Sequence, residues 1–241
     1  MFNLNTGLLE FLRPQLSTAI FNFIFIASLI GIVAISYLSG SINSAIIISK
    51  TLYNDDVRQH GSGNPGLTNM LRTFGKGAAG LTFLGDMLKS VLPVCLAGVI
   101  FGFNYNTAIS VCEYCYVAAM FVILGHVFPI YYKFKGGKGV LSTFSTIILL
   151  APFIGLFLLL LFIAIVAVSK FVSLGSVCAA MLLPVVINGY FMFFFAKPLM
   201  PLGTISTIII AIVIVWRHKE NLKRISEGRE NKISIGKKDK E

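Results

Sequence analysis

Six apolar runs, each closed off by polar or basic residues, govern what this chain of 241 residues can fold into; they cover about 18–48, 78–103, 110–131, 140–168, 172–195 and 204–216. Crossing a bilayer core of about 30 Å takes roughly 20 helical residues. Lipid offers no partner to a backbone N–H or C=O, so such runs close their hydrogen bonds internally, as helices. Composition agrees: 56% of residues are hydrophobic and 12% charged, with mean hydropathy +0.84. A soluble domain carries roughly twice that charged fraction. The expectation is an all-α polytopic membrane protein whose spans are themselves the fold.

Charge sets the topology. Nine of the twenty Lys/Arg lie after Trp216, and most of the rest lie in two short segments between apolar runs. The net charge of +10 therefore reads as a positive cytoplasmic face rather than a nucleic-acid surface. The run 140–168 has a base at each end, Lys138 and Lys170, so two crossings with a turn at Ala151-Pro152 are expected. Each leg then has about 13–16 residues, roughly 20–24 Å. About seven transmembrane helices result, with the N-terminus outside and the C-terminus cytoplasmic. Eighteen Lys/Arg then lie inside, leaving Arg13 and Lys197 outside. Residues 1–18 read as an interfacial lead-in, 19–226 as one transmembrane domain and 227–241 as a charged, frayed tail. No basic start precedes the first long run, so no cleavable signal is expected. Cys112 and Cys115 form a C-x-x-C. With no second pair or His cluster, helical i, i+3 packing accounts for it better than metal or redox chemistry.

This topology gathers four polar segments at the cytoplasmic face: 40–44, 58–89, 126–139 and 217–230. The third carries His126 and then Gly136-Gly137-Lys138-Gly139. Glycine lets backbone N–H groups approach a phosphate, and lysine supplies a point charge. The second carries Gly61, Gly63 and Gly66 among Ser62, Asn64, Thr68 and Asn69, followed by Arg72, whose guanidinium fork suits a phosphate or carboxylate. A lone G-S-G would be a flexible surface loop; the length of this polar run favours a ligand site. Asp86 and Lys89, three apart, are either a structural ion pair or part of the site. His218 and Asn221, also three apart, either aim into the same cavity or anchor the interface beside Trp216. Ser41 belongs to the polar end of the first run, and His126 is either a hydrogen-bonded interior histidine or a site member. No H-E-x-x-H, paired carboxylates or Ser-His-Asp order is present, so no metal or other cofactor is expected.

Taken in order, Gly40-Ser41-Ile42, the run from Gly61 through Asn69 with Arg72, Gly125-His126 through Val140, and Arg217-His218 with Glu220-Asn221 resemble the bacterial acyl-phosphate:glycerol-3-phosphate acyltransferases. These are integral-membrane enzymes of the bacterial inner membrane that begin phospholipid synthesis. The resemblance runs collinearly from about 30 to 230. It implies transfer of a fatty acyl group from acyl-phosphate to the 1-hydroxyl of sn-glycerol 3-phosphate, with a soluble enzyme supplying the acyl-phosphate. It carries Ser62, Asn64, Thr68, Asn69, Arg72, Lys138, His218 and Asn221 over as the phosphate and glycerol site. Departures are Asn43 for a usual Pro, Ser90 for Gly, Leu67 for Ala, and Lys170 near a usual Arg. The expected catalytic set is Ser62, Thr68, Asn69, His218 and Asn221; the expected substrate-binding set is Ser41, Asn64, Arg72, Lys138, Gly136, Gly137 and His126.

The residues suit that reaction on physical grounds as well. Two phosphorylated substrates need a basic, glycine-rich site, and a lipid donor needs one that opens to the bilayer. An acyl-phosphate already has a good leaving group, so positioning two anions is the main task. The general base is His218, His126 or a donor phosphate oxygen. A lipid or anion transporter is the alternative; it would place polar groups along the whole depth of the bundle, whereas here they cluster at one face.

Overall fold

The computed structural model describes residues 3–102, 113–195 and 201–233, and all regular structure among them is helical. The turn expected at Asn104 and Asn106, Cys112 of the C-x-x-C, Lys197 and the tail after 233 lie outside the described residues. The helices in order are α1 Gly7–Leu12, α2 Thr18–Ser41, α3 Ser44–Leu52, α4 Leu67–Phe101, α5 Glu113–Val127, α6 Val140–Leu150, α7 Pro152–Ser169, α8 Val172–Phe195, α9 Pro201–Arg217 and α10 Lys219–Ser226. Five spans are long and apolar enough to cross a membrane: α2, α4, α7, α8 and the stretch Glu113–Tyr132, which extends α5; α9 passes the same test together with α10, across a 49° bend.

Where the apolar runs break, side chains supply the reason. The first run is two helices, because Ile42 turns extended and Asn43 accepts the Ile46 N–H at 3.0 Å to cap α3. Its polar end faces protein: Ser41 and Asn43 are buried. Helix α4 begins well before Ala78, inside the expected loop, and breaks at Gly75 (φ 84°, ψ −171°). That conformation is open to glycine and closed to residues with a Cβ. The turn at Ala151-Pro152 is present, but the two legs are unequal, 11 and 18 residues rather than 13–16 each. Pro152 opens α7 at a position where a missing N–H costs nothing, and the leg that packs on α8 is the longer. Helix α6, about 16 Å long, is too short to cross alone.

The ends of the helices gather at two faces. At one, the C-terminal ends of α2, α5, α7 and α9 meet the N-terminal ends of α4, α6 and α8. Ser41 accepts the Ile130 N–H, Arg217 reaches Gly136, and the Lys170 carbonyl accepts the Ile233 N–H. At the other, α1 packs on the end of α4, Phe101 stacks on Tyr114, and the Leu202 N–H donates to Glu113. Helix α5 runs through the centre with Tyr116, Val122 and Ile123 fully buried. It crosses α2 in backbone contact: a Cβ on Gly40 would strike the Val122 carbonyl, and one on Gly125 that of Tyr37.

Candidate active site

A cavity of about 400 Å³ opens at the first of these faces, between α4, α6, α7, α8 and the α9–α10 bend. Its mouth is polar, lined by Ser62, Asn64, Thr68, Asn69, Arg72, Lys138, His218 and Asn221; its body is apolar, lined by Phe144, Ile147, Leu158, Phe162 and Leu183. His126 also lines it. Ser41, Gly136 and Gly137 of the expected set do not.

The loop before α4 is held by one side chain. Buried Asn69 donates to the carbonyls of Val57 (3.0 Å) and His60 (2.9 Å) and accepts the Ser62 N–H (3.1 Å). Both amide hydrogens are thus committed to the loop, and through these bonds Asn69 positions Ser62. Arg58 grips Asp56 at 2.6 Å, and that hydrogen bond holds the Asp56 carboxyl down at about 2. The side chains of Ser62, Asn64, Thr68 and Arg72 make no hydrogen bond or ion pair among the described residues. They face the mouth with free capacity.

The glycine turn is tied down through its backbone. The Gly137 N–H donates to the His126 carbonyl at 3.1 Å. Arg217 donates to the carbonyls of Gly137 (Nε, 3.2 Å) and Gly136 (Nη2, 2.9 Å). A Cβ on Gly137 would enter the His126 ring, and one on Gly136 would strike the His126 carbonyl and Pro129. These two glycines pack tightly in the turn that brings Lys138 to the cavity. Ser41 donates to the Tyr37 carbonyl at 2.8 Å.

Lys138 donates to Asn221 Oδ1 at 2.5 Å. Burial pushes its ammonium down to about 8, with Glu230 pulling the other way. Asn221 in turn donates to Glu230 Oε1 at 2.6 Å, where Ser173 joins at 2.9 Å, and Arg224 Nε donates to Oε2 at 2.7 Å. Burial raises Glu230, but those three donors outweigh it and hold the carboxyl below its usual range. The contacts of Glu230 and the Ile233 N–H bond to the Lys170 carbonyl bring these two tail residues beside the site. Sequence reasoning missed Glu230, Ser173 and Arg224, because no spacing ties a charged tail to a loop so distant in the chain. His218 stands at the α9–α10 bend with Nδ1 2.8 Å from the Ile214 carbonyl. A carbonyl only accepts, so Nδ1 carries the hydrogen, and neutral His218 keeps the Nε2 lone pair.

Beneath the mouth lies a second charged group. Lys89 donates to the Ile42 carbonyl (2.5 Å), lies 2.9 Å from His126 Nδ1 and forms an ion pair with Asp86 Oδ1 at 2.8 Å. The ion pair of Asp86 and Lys89 is present, with His126 as an added partner, and Asp86 and His126 also line the cavity.

The family model for glycerol-3-phosphate acyltransferase matches residues 30–228. A glycerol-3-phosphate acyltransferase of Halorhodospira halophila is 38% identical over 202 residues, covering 84% of this chain and 95% of that protein. One of Endomicrobium trichonymphae is 40% identical over 207 residues, covering 86% and 96%. Among solved structures, the glycerol 3-phosphate form of PlsY (YgiH), an integral membrane glycerol 3-phosphate acyltransferase, superposes with a TM-score of 0.74 at 32% identity, covering 86% of this chain and 96% of that one. Its lysophosphatidic acid form gives 0.72 at 31% identity, with the same coverage. A match across most of the chain, by sequence and by fold, sets the transporter alternative aside: this chain belongs to the integral-membrane glycerol-3-phosphate acyltransferase family, and it is an acyltransferase of phospholipid biosynthesis.

Proposed function

We propose that the chain transfers a fatty acyl group from acyl-phosphate to the 1-hydroxyl of sn-glycerol 3-phosphate, releasing lysophosphatidic acid and phosphate, on the cytoplasmic face of a bacterial inner membrane. One observation carries this reading: a single cavity joins cations to an apolar slot, with Arg72 and Lys138 at its mouth and Phe144, Ile147 and Leu183 in its body. A phosphate and an acyl chain on one molecule need that combination. The PlsY forms named for glycerol 3-phosphate and lysophosphatidic acid supply acceptor and product by analogy.

The step is direct attack. The glycerol O1 bonds to the acyl carbon, the bond from that carbon to the phosphate oxygen breaks, and phosphate leaves with the electron pair. Arg72 and Lys138 offset the phosphate charges, while Ser62, Asn64 and Thr68 orient the acceptor. The hydroxyl proton goes to His218 Nε2 or to a phosphate oxygen. His126 drops from the list of bases: Lys89 holds its Nδ1, and Gly137 packs against its Nε2. With α6 and α7 as a hairpin that returns to the same side, the site lies on the side rich in Lys/Arg, where a soluble acyl-phosphate-forming enzyme can deliver the donor.

Phosphate release from palmitoyl-phosphate by the purified protein tests the reading, with and without glycerol 3-phosphate and beside Lys138→Ala. Release that requires the acceptor and is lost in the variant is the expected result. Release without the acceptor would make the protein a hydrolase, and no release from folded protein would overturn the donor assignment.

A further inference from the structure

Along α6 the hydroxyl side chains divide into two kinds. Ser145 donates back to the Leu141 carbonyl at 2.9 Å, and Thr146 to those of Ser142 and Thr143 at 3.1 and 3.0 Å. This is the usual way a helix satisfies a buried hydroxyl. Ser142 and Thr143 do not do it, and of these two Thr143 lines the cavity. The Thr143 Oγ1 is buried and makes no hydrogen bond among the described residues, and the residue is only 9% exposed. A buried unpaired hydroxyl costs about 1–3 kcal/mol, so it marks a place where a partner belongs.

Its position tells what the partner is. The α6 residues lining the cavity are Val140, Leu141, Thr143, Phe144 and Ile147, and Thr143 is the polar one among them. It lies about one helical turn past Gly139, the α6 N-cap. Lys138 precedes that cap, and the apolar slot of Phe144 and Ile147 follows. An acyl-phosphate presents its groups in the same order: phosphate, carbonyl, alkyl chain. The first turn of α6 also has no side-chain cap, so its N–H groups and dipole favour negative charge at that end.

We infer that Thr143 Oγ1 donates a hydrogen bond to the acyl carbonyl oxygen of the donor and to the oxyanion that forms there on attack. The inference rests on the acyl-phosphate reading above. It makes Thr143 a catalytic residue, since its hydroxyl would touch the reacting carbonyl. As the glycerol oxygen bonds to the acyl carbon, the carbonyl electron pair moves onto that oxygen, and the hydroxyl holds it until phosphate departs. Removing one such donor lowers turnover by about 100-fold.

The test compares wild type with Thr143→Val, which keeps the shape and deletes the hydroxyl, and Thr143→Ser, which restores it. Turnover is measured with palmitoyl-phosphate and glycerol 3-phosphate each varied while the other is saturating. The expected result is a kcat about 100-fold lower in the Val variant, with both KM values within about threefold, and recovery to within about tenfold in the Ser variant. In parallel, infrared spectra of a bound acyl-methylenephosphonate, labelled with 13C at its ketone carbonyl, should show the carbonyl stretch at lower wavenumber in wild type than in the Val variant. A packing role would not move that band. An unshifted band, or a Val variant within twofold of wild-type kcat, overturns the inference while leaving the donor assignment intact. A wild-type protein that does not turn over palmitoyl-phosphate refutes the donor assignment instead.

Discussion

Two charged clusters sit at the same end of this bundle, and they are finished differently. Lys89 in the lower one is enclosed, its ammonium set against Asp86, His126 and the Ile42 carbonyl. Among the described residues, Lys138 in the upper one makes a single hydrogen bond, to Asn221, and the Arg72 side chain nearby makes none. Both clusters contain lysine, histidine and a carboxylate, so residue type does not tell them apart. Spare hydrogen-bonding capacity does. A closed cluster ties helices together, whereas an open one at a cavity is held for a ligand.

The same substitution at both lysines is the strongest way to break the comparison. Lys89→Met leaves a buried Asp86 carboxylate without its cation, a loss of about 3–5 kcal/mol. The expected outcome is a much lower unfolding midpoint and little folded protein after detergent extraction. Lys138→Met should unfold close to wild type while acyl transfer falls by about 100-fold, the scale for loss of one preorganised charge contact. If the two variants lose stability equally, the upper cluster is scaffold as well, and the distinction fails.

The glycine turn lies between the two clusters and sharpens the comparison. Gly137→Ala places a methyl group in the His126 ring, and overpacking of this kind costs about 1–3 kcal/mol. Because the ring reports to Lys89 on one side and the turn carries Lys138 on the other, the variant should lose stability and raise the KM for glycerol 3-phosphate together. A raised KM with an unchanged unfolding midpoint would return Gly137 to the role its sequence suggests, that of a phosphate cradle.

Much of this arrangement was legible before any coordinates. Long apolar runs report lipid-facing helices directly, and Pro152 announces a break because proline cannot continue the helix before it. The convergence of Ser62, Arg72, Lys138, His218 and Asn221 followed from basic loops sharing one face. What stayed hidden depends on backbone partners and distance. The sequence does not show that Arg217 takes the carbonyls of Gly136 and Gly137, or that the His126 carbonyl takes the Gly137 N–H. Asp86 and Lys89 were visible as an i, i+3 pair, but their partner His126 comes from another helix. Glu230 sits in a charged segment that by composition reads as solvated, yet it anchors Asn221, Arg224 and Ser173.

The smallest effect separates activity from stability within the upper cluster. Burial brings Lys138 from 10.5 to about 8, so as pH rises through about 8 its ammonium is lost in the free enzyme. The phosphate of the acceptor is already a dianion there. The kcat/KM for glycerol 3-phosphate should therefore fall above pH 8, approaching tenfold per unit, since that ratio follows ionisations of the free enzyme. Stability should move the other way. Between about 8 and 10.5 the unfolded chain holds the Lys138 proton and the folded chain does not, so folding becomes more favourable as pH rises. In Lys138→Arg the side chain stays charged across the range, and both slopes should flatten. Paired pH series of kcat/KM and of the unfolding midpoint check this, and parallel slopes in wild type would show that the loss of rate above pH 8 is loss of fold rather than loss of the lysine charge.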